Sequence, residues 1–370
     1  VRSISADNSG SIPASFTAGF AAGSSGVALR GLTVNSTLVL IDGRRAASYP
    51  LADDGQRSFV DLNTIPSNAI ERIEVLKDGA SSLYGADAIA GVVNIILRPC
   101  YQGTEFTADV GTSQHGGGTT KRATVLFGGG DLKKDGWNAY MSAEYQRDER
   151  IMTRDRGYPY NTADIRRSGG NNLIGGQPSQ NSGSIYGTVT PGTLSRPGDV
   201  TSGVPDPDGV AQPLVPCGPA ASLVTDDPAN PGSYCAQNFA RYAAIQPTTD
   251  RRGLYGRFTI QVSDKTKAYI AASYYQVKTT FPGAPAQIQA GTPRNTNSIA
   301  LPATLPDGSL NPNNPFAANG QAALINYGFP SALASGENNN RNFRLVGGLT
   351  GQRGDWSYDT ALVLNHSSLE

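Results

Sequence analysis

The residues that could carry out covalent chemistry in this sequence are few and far apart. The chain has 370 residues but only two histidines, His115 and His366, which are too isolated to form a metal cluster. It contains no G-x-S-x-G nucleophile elbow, no phosphate-binding P-loop and no H-E-x-x-H zinc motif. The sequence therefore predicts a protein that is not an enzyme and that has no cofactor and no metal site.

Two of the three cysteines lie in one long polar segment. A disulfide between Cys217 and Cys235 would stabilise this segment by roughly 3 kcal/mol in an oxidising compartment. The alternative is a pair of unpaired loop thiols, and the sequence leaves both possibilities open. Cys100 is the odd cysteine and is assigned no role.

The composition excludes a transmembrane helix but not transmembrane strands. No run of about 18 apolar residues exists, whereas a membrane-spanning β-strand needs only about 9–11 residues of alternating polarity. Glycine contributes 44 residues and proline 24, which is typical of strands joined by large loops. Thirty basic residues balance thirty acidic ones, so the net charge does not favour nucleic acid as a partner.

The character of the sequence changes near residue 100. Up to Leu97 it contains short apolar runs, such as Leu38 to Ile41, which is followed by the turn signal Asp42-Gly43. This part predicts a small α/β module. From Gly103 onward, apolar and polar residues alternate, which indicates strands. Seven strands are predicted, at about residues 103–112, 119–128, 136–149, 252–263, 266–281, 341–351 and 355–367.

The lengths of the connections distinguish a membrane barrel from a soluble sandwich, since both give this alternation. Once the first hairpin is passed, tight turns alternate with two very long connections, at 150–251 and 282–340. In an up-and-down barrel every second connection lies at the same end, so both long loops fall at one end. Long extracellular loops and short periplasmic turns are typical of outer-membrane barrels, and this arrangement is predicted here.

Two sequence blocks in the N-terminal module are more specific. The first is Leu29-Arg30-Gly31 followed by Leu38-Val39-Leu40-Ile41-Asp42-Gly43-Arg44-Arg45. The second runs from Ile70-Glu71-Arg72-Ile73-Glu74-Val75-Leu76-Lys77-Asp78-Gly79 through Ser82-Leu83-Tyr84-Gly85 to Ala90-Gly91-Val92-Val93-Asn94-Ile95. Together they closely resemble the plug of TonB-dependent outer-membrane receptors. The motif residues are Gly31, Asp42, Gly43, Glu71, Glu74, Lys77, Gly79, Tyr84, Gly85, Gly91 and Asn94.

The resemblance implies a mostly β fold made of two parts. These are a transmembrane antiparallel β-barrel, of about 22 strands in the full protein and about seven here, and a small α/β plug domain. The plug is expected at residues 1–99, with its N-terminal part missing, and the first part of the barrel at 100–370. The segment that TonB binds is expected to precede Val1. Pro99-Cys100 departs from the charged or polar pair that is more usual at this junction.

The resemblance also suggests site residues. The segment between the two blocks corresponds to a loop that plugs present to their substrate. Its candidate substrate contacts are Arg45, Tyr49, Asp53, Asp54 and Arg57, and the alternative is a solvated loop without a ligand. Arg30 and Arg72 occupy positions where family plugs carry arginines that pair with barrel glutamates, because an unpaired buried charge is costly. The alternative for these two arginines is simple solvation in a wet lumen.

The implied function is energised import of a scarce nutrient across the bacterial outer membrane. The ligand would be a ferric siderophore, an oligosaccharide or cobalamin, and the inner-membrane TonB complex would supply energy from the proton-motive force. Outer-membrane lipid is the remaining expected partner, and a monomer is expected. The alternatives are a passive porin-like barrel or a surface adhesin that shares the plug fold. A soluble periplasmic binding protein is disfavoured because it would expose the apolar stripes to water.

Overall fold

The computed structural model describes residues 10–15, 20–170, 187–201, 203–210, 212–214, 216–217, 221–224, 234–288 and 299–370. The chain divides into two compact units. The first comprises Val1–Ile151, Ala244–Phe281 and Gly336–Glu370, and the second comprises Met152–Ala243 and Pro282–Ser335. The first unit thus contains residues of both the expected plug and the expected barrel. The division into a plug at 1–99 and a barrel at 100–370 stays a prediction.

A small mixed sheet lies at the start of the first unit. Its strands are β1 (Thr37–Ile41), β2 (Arg44–Arg45), β3 (Ile70–Leu76) and β4 (Gly91–Leu97). Their order is β2-β1-β4-β3, in which β1 and β4 are parallel and the other two pairs are antiparallel. One short α-helix, α1 (Ser81–Tyr84), accompanies this sheet together with the 3-10 helices Val34–Ser36, Leu62–Thr64, Ser67–Ala69 and Ala86–Ala88.

The apolar runs of β1 and β4 form strands that are covered on both faces, which explains why their sequences do not alternate. One face of β1 packs Val39 and Ile41 against β4 and against residues of the large sheet, including Tyr140. The other face packs Leu38 and Leu40 on Ala88 and its neighbours. The turn that ends β1 is formed by Asp42 and Gly43, whose φ angles of 51° and 73° suit a two-residue hairpin of type I′.

The remaining strands continue the numbering in chain order. They are β5 (Gly103–Gly111), β6 (Thr120–Gly129), β7 (Trp137–Asp148), β8 (Ile151–Met152), β9 (Thr188–Leu194), β10 (Gly203–Pro205), β11 (Gln212–Pro213), β12 (Ala221–Val224), β13 (Tyr234–Gln237), β14 (Ala244–Gln246), β15 (Thr248–Ser263), β16 (Thr266–Ile288), β17 (Ile299–Leu301), β18 (Ala322–Arg353) and β19 (Trp356–Leu369). Further 3-10 helices are Thr153–Asp155, Arg166–Ser168, Phe239–Tyr242 and Ala317–Asn319.

Seven long strands of the first unit form an antiparallel sheet in the order β5-β6-β7-β15-β16-β18-β19. They lie at the seven positions that the period-two pattern predicts. The prediction of a mostly β fold beside a small α/β plug is confirmed. Strand β18 begins at Ala322, well before the predicted start near residue 341. The pattern misses this extension because its later part, around Gly336 to Asn340, has no apolar period although its backbone remains extended.

The two faces of this sheet differ in their chemistry. The face on the plug side buries polar and aromatic side chains such as Tyr140, Ser142 and Glu144. The opposite face exposes large apolar side chains, including Met141 (58% exposed) and Phe127 (58%). Exposed apolar surface on this scale is rare on soluble monomers and marks contact with lipid or with another protein. Every helix among the described residues is too short or too polar to span a bilayer.

The second unit is built around β9. This strand pairs with β10, with β11 and with the first residues of β18, from Ala322 to Asn326. Strands β12 and β13 form a separate hairpin. Cys217 and Cys235 are bonded as a disulfide, with their Cα atoms 5.5 Å apart, and Cys100 of the first unit is an exposed free thiol.

The cysteine arrangement predicts the result of thiol counting. We expect the denatured, unreduced protein to react with one equivalent of maleimide, at Cys100, and the reduced protein to react with three. Peptide mass mapping of the unreduced protein would locate the label. Labelling of Cys217 or Cys235 before reduction would contradict the disulfide.

The position of Gly91 at the start of β4 predicts that a larger side chain there strongly destabilises the plug sheet. Its φ is +140°, and a Cβ atom added there would lie 2.3 Å from the carbonyl oxygen of Leu76. Gly91→Ala is therefore expected to cost more than about 3 kcal/mol. Gly43→Ala is the matched control, since Gly43 also has a positive φ (+73°) but no atom within 4 Å of the added Cβ. It should cost only about 1–2 kcal/mol.

The measurement is the rate at which a protease cleaves the plug in the folded full-length protein, which follows the free energy of local opening. Equal cleavage rates for the two variants would show that the contact with Leu76 does not constrain β4.

Candidate functional site

Asp42 joins the turn after β1 to the large sheet. Its carboxylate accepts a hydrogen bond from the backbone N–H of Leu97 (2.8 Å) and forms an ion pair with Arg257 of β15 (3.5 Å). Arg344 of β18 donates to the carbonyl oxygen of Ile41 at 3.3 Å. Burial raises the pKa of Asp42 above its ordinary value, although the Leu97 N–H and the nearby arginines oppose this shift.

Asp61 is a second buried carboxylate at the same interface. One oxygen accepts hydrogen bonds from the backbone N–H groups of Ser25 and Asn63, both at 3.0 Å. The other accepts from the side-chain amide of Asn340 on β18, also at 3.0 Å. Burial raises the pKa of Asp61, and these three hydrogen bonds oppose the shift. Asp61 therefore fixes the segment before Leu62–Thr64 both to the plug and to the sheet.

Glu144 of β7 forms the third contact of this kind. Its fully buried carboxylate accepts from the backbone N–H (3.2 Å) and the hydroxyl (2.8 Å) of Ser67, and it forms an ion pair with Arg251 of β15. Arg122 of β6 donates to the Ser67 hydroxyl at 2.6 Å. Arg251 also donates to the side-chain oxygen of Gln146 at 2.7 Å. One plug serine is thus held directly by β6 and β7, and through Glu144 it is linked to Arg251 of β15.

A polar pocket of about 340 Å³ lies next to this third contact, at the end of the sheet where the long connections begin. Asp148 accepts hydrogen bonds from Thr120 and Gln146, both at 2.8 Å. The Nε of Arg251 is buried and has no hydrogen-bond partner in the described part of the chain. The polar side chains that line the pocket are Ser15, Asn63, Thr120, Gln146, Asp148, Gln246, Thr249 and Arg251.

This pocket offers hydroxyl, amide, carboxylate and guanidinium groups beside apolar surface that includes Ala14. Such a lining suits an oxygen-rich ligand, which both donates and accepts hydrogen bonds. Among the described residues, no group of three or more histidine, cysteine, aspartate or glutamate side chains could hold a metal ion here.

The five candidate substrate contacts do not form one cluster. Tyr49 is buried and stacks on Phe59, with ring centroids 5.3 Å apart. Asp53 is fully buried and pairs with Arg57 at 2.5 Å. These positions hold the segment together from within, so a ligand would reach neither Tyr49 nor Asp53 without a rearrangement.

The remaining three candidates are accessible or partly accessible. Arg45 forms an ion pair with Asp87, and Asp54 is exposed beside Arg57, to which it is bonded at 2.5 Å. A role for Arg45, Asp54 and Arg57 in substrate binding stays a prediction.

The two arginines expected to pair with barrel glutamates have other surroundings here. Arg72 pairs with Glu71 (3.4 Å) and Glu74 (2.9 Å), both on its own strand, and all three are exposed. Arg30 is exposed in a turn with a φ of 58°. Pairing of Arg30 and Arg72 with the barrel therefore stays a prediction.

Several other motif residues have a visible structural role. Asn94 accepts from the backbone N–H of Gly43 (2.9 Å) and donates to Glu74 (3.2 Å), so it ties the β1–β2 turn to β3. Gly85 has a φ of +98° where α1 ends. Lys77, Gly79 and Tyr84 lie exposed in or near the segment between β3 and α1, and Gly31 lies exposed beside Arg30.

Sequence reasoning missed the residues that dock the plug, which are Asp61, Glu144, Arg251, Arg257, Asn340 and Arg344. A usable signal existed for the strand residues, because each is a charged or amide side chain in the interior of a strand rather than at its end. Such a residue needs a partner across the interface when the face is covered. Asp61 carried the weaker signal of an N-cap before a short helix.

The geometry defines a class of protein before any comparison. A small mixed sheet is docked through buried carboxylates on one face of an antiparallel sheet, and the other face of that sheet is apolar and exposed. This is the arrangement of a small domain held on one face of a sheet whose other face meets lipid or another protein.

Comparison with known proteins identifies the N-terminal domain of the chain. Residues 5–92 match the family model described as the TonB-dependent Receptor Plug Domain. The chain therefore carries a TonB-dependent receptor plug, and the resemblance seen in the two sequence blocks is confirmed. This family consists of receptors and transporters rather than enzymes.

The relatives agree with this match over a limited part of the chain. The iron-regulated outer membrane virulence protein of Vibrio cholerae is 42% identical over 73 residues, which are 20% of this chain and 11% of that protein. The chain thus matches only about a tenth of that relative's length.

Solved structures include the ferric enterobactin receptor of Pseudomonas aeruginosa, in complex with enterobactin (12% identity, 93% of this chain, 35% of that chain, TM-score 0.44). Another is the siderophore receptor PirA from Acinetobacter baumannii (14% identity, 93% of this chain, 41% of that chain, TM-score 0.38). These likenesses are too distant to extend to ligands.

The contact between Glu144 and Arg251 predicts the effect of removing one partner. Arg251→Ala leaves a buried carboxylate without its cation and is expected to weaken docking of the plug by about 3–5 kcal/mol. The double variant Glu144→Gln/Arg251→Ala should recover part of this loss, because it removes the uncompensated charge. The measurement is protease cleavage of the plug in the folded full-length protein.

Arg341→Ala is the matched control, since Arg341 forms an exposed ion pair with Glu370 at 3.0 Å on the same sheet. It should change docking by no more than about 1 kcal/mol. Equal effects of Arg251→Ala and Arg341→Ala would contradict the importance of the buried pair.

Proposed function

We propose that this chain is part of a TonB-dependent receptor that imports a scarce nutrient across the bacterial outer membrane. The observation that carries the proposal is the plug match over residues 5–92, together with the docking of its described residues on the polar face of an antiparallel sheet. A receptor of this kind binds its ligand outside the cell and opens a path only when the plug moves.

The exposed face of the sheet supports placement in a membrane. Along β7 and β15 the outward positions are mostly apolar, and they include Trp137, Met141, Leu254 and Phe258. Transmembrane strands present such an apolar band to lipid and turn polar residues inward. We place the long connections on the extracellular side and the short turns on the periplasmic side.

The nature of the plug interface supports energised opening. Beside the apolar contact of Val39 and Ile41 with Tyr140, its polar contacts at Asp42, Asp61 and Glu144 are hydrogen bonds and ion pairs, which water can replace when the plug shifts. An apolar interface of the same size would resist hydration more strongly. We infer that a pull by TonB on the segment before the plug, driven by the proton-motive force, displaces the plug from these contacts.

A ferric siderophore is the substrate class that we propose first. The polar pocket beside Arg251 has donors and acceptors suited to an oxygen-rich iron chelate, and its lining includes Asn63 of the plug. The relative from Vibrio cholerae is named as an iron-regulated protein, which points to the same nutrient. Arg45, Asp54 and Arg57 are proposed as further ligand contacts on the plug. Oligosaccharides and cobalamin are the other candidate substrates.

The test is whole-cell uptake in a strain that lacks the full-length gene. Ferric siderophores, cobalamin and oligosaccharides are supplied one at a time, with and without a proton uncoupler. We expect the deletion to abolish uptake of one ferric siderophore, and the restored wild-type gene to recover it in a manner that the uncoupler blocks.

Other outcomes would decide between the alternatives. Uptake that is restored by the gene but insensitive to the uncoupler would reject energised import and indicate a passive barrel. Normal uptake of every substrate together with lost attachment to surfaces would indicate an adhesin. Loss of cobalamin or oligosaccharide uptake would keep the transporter but change its substrate.

A further inference from the structure

The outward face of the first unit carries a groove that the proposed import does not use. It has a volume of about 460 Å³, within the range of roughly 300–1,000 Å³ that is usual for ligand sites. The groove lies across β6, β7, β15 and β16, on the side of the sheet opposite the plug. Its outward apolar side chains are Ala123, Val125, Ala143, Tyr145, Leu254 and Tyr274.

Small residues in the middle of larger ones create this groove. Ala143 of β7 pairs in register with Val125 on one side and Leu254 on the other, and Leu254 in turn pairs with Tyr274. Since alanine has no atoms beyond Cβ, the surface is lower at Ala143 than at its neighbours. A narrow apolar ligand, such as an acyl chain, matches this depression.

The groove lies where the apolar part of the outward face ends. Toward the short turns, the outward residues stay mostly apolar as far as Trp137 and Ile260. In the other direction, the row just beyond Tyr145 is charged, and its members lie in register as Lys121, Arg147, Asp250 and Lys278. A change from apolar to charged residues marks the level of the lipid headgroups on a transmembrane strand.

Two of the cations at this level are already neutralised. Arg147 pairs with Asp250 at 3.4 Å, and Lys278 pairs with Glu337 at 2.8 Å. These pairs are partly exposed and contribute little attraction for an additional anion.

The third cation of this row, Lys121, is not neutralised, and neither is Arg252, which lies in register with Tyr145 in the row before it. Lys121 and Arg252 are exposed, and neither forms an ion pair with another residue in the part of the chain that the structure describes. The guanidinium of Arg252 lies 6.0 Å from the ring centroid of Tyr145, which places it at the edge of the groove. Strand β7 separates β6 from β15, and Lys121 lies one outward row beyond Arg252. At about 4.8 Å per strand and about 3.4 Å per residue, their backbones are roughly 12 Å apart, a span that the long side chains of lysine and arginine can close around one phosphate over β7.

We propose that this groove binds a phosphate-bearing lipid of the surrounding membrane. Its acyl chain lies against Ala143 and Leu254, and its phosphate contacts Arg252 and Lys121. Guanidinium and ammonium groups are the usual phosphate ligands, and the apolar floor favours the chain over water. The proposal rests on the outer-membrane placement given above but does not depend on import or on the identity of the imported substrate.

Native mass spectrometry of the full-length protein in detergent tests the proposal. Three probes are compared: dipalmitoyl phosphatidic acid, which has both phosphate and chains, dipalmitoylglycerol, which lacks the phosphate, and inorganic phosphate, which lacks the chains. We expect retention of phosphatidic acid alone. Arg252→Ala should lower its retention about tenfold, as the loss of one charged hydrogen-bonded contact predicts. Ala143→Phe should lower it by filling the groove while leaving the cations in place.

Arg353→Ala is the matched control, because Arg353 is an exposed arginine at the opposite end of the same sheet. It should leave retention unchanged. If Arg353→Ala and Arg252→Ala lose phosphatidic acid equally, the loss reflects the removal of any positive charge. That result would overturn the proposed site. Full retention in both Arg252→Ala and Ala143→Phe would also overturn it, as would equal retention of inorganic phosphate or of dipalmitoylglycerol.

These measurements are independent of transport. A protein that retains phosphatidic acid but imports nothing would disprove the proposed import and keep the lipid site. Uncoupler-sensitive import without specific lipid retention would disprove the lipid site and keep the import.

Discussion

Buried carboxylates at the interface between plug and sheet constrain the rest of the first unit. Asp61 and Glu144 are removed from bulk water and Asp42 is partly so, and an isolated charge in such a place costs several kcal/mol. Each carboxylate is therefore matched by donors from the opposite element, namely Arg257, Asn340 and the Ser67 hydroxyl. Because these matches lie on different strands, the plug can satisfy all of them in only one docked position.

The same constraint makes the plug releasable. Ion pairs and hydrogen bonds of this interface have nearly equivalent partners in water, so their loss is compensated once the interface hydrates. The apolar core of the plug sheet lacks such compensation, since Val39, Ile41 and Val93 would lose their packing on unfolding. Under the proposed import, displacement of the plug as a body would break its polar contacts and its apolar contact with Tyr140, but it would keep the packing within the plug sheet that unfolding would lose.

The large sheet meets a different environment on each face, and its sequence reflects both. On β15, Arg251, Tyr255 and Arg257 turn toward the plug, while Leu254 and Phe258 turn away from it. The alternation of side chains along a strand makes this separation automatic, since neighbours always point to opposite faces. The lipid groove and the plug contacts thus occupy the same strands without sharing side chains. A substitution can therefore alter the lipid groove without touching the side chains that contact the plug, and the reverse also holds.

The sequence by itself determined the plug family and the positions of the seven long strands. It could do so because the plug blocks are continuous in the chain and because period two is a local property of a strand. The early start of β18 escaped prediction, since the residues around Asn338 are extended without alternating in polarity.

Only the tertiary structure decided which polar side chains form the site. Tyr49 and Asp53 read as exposed loop residues, yet the loop folds back and buries both against Phe59 and Arg57. Glu144 and Arg251 are more than a hundred residues apart in sequence, and Asp61 and Asn340 lie still further apart. Such contacts depend on which strands become neighbours and on where the plug docks. Local sequence patterns indicate neither the neighbouring strands nor the docking position, because both follow from packing of the whole unit.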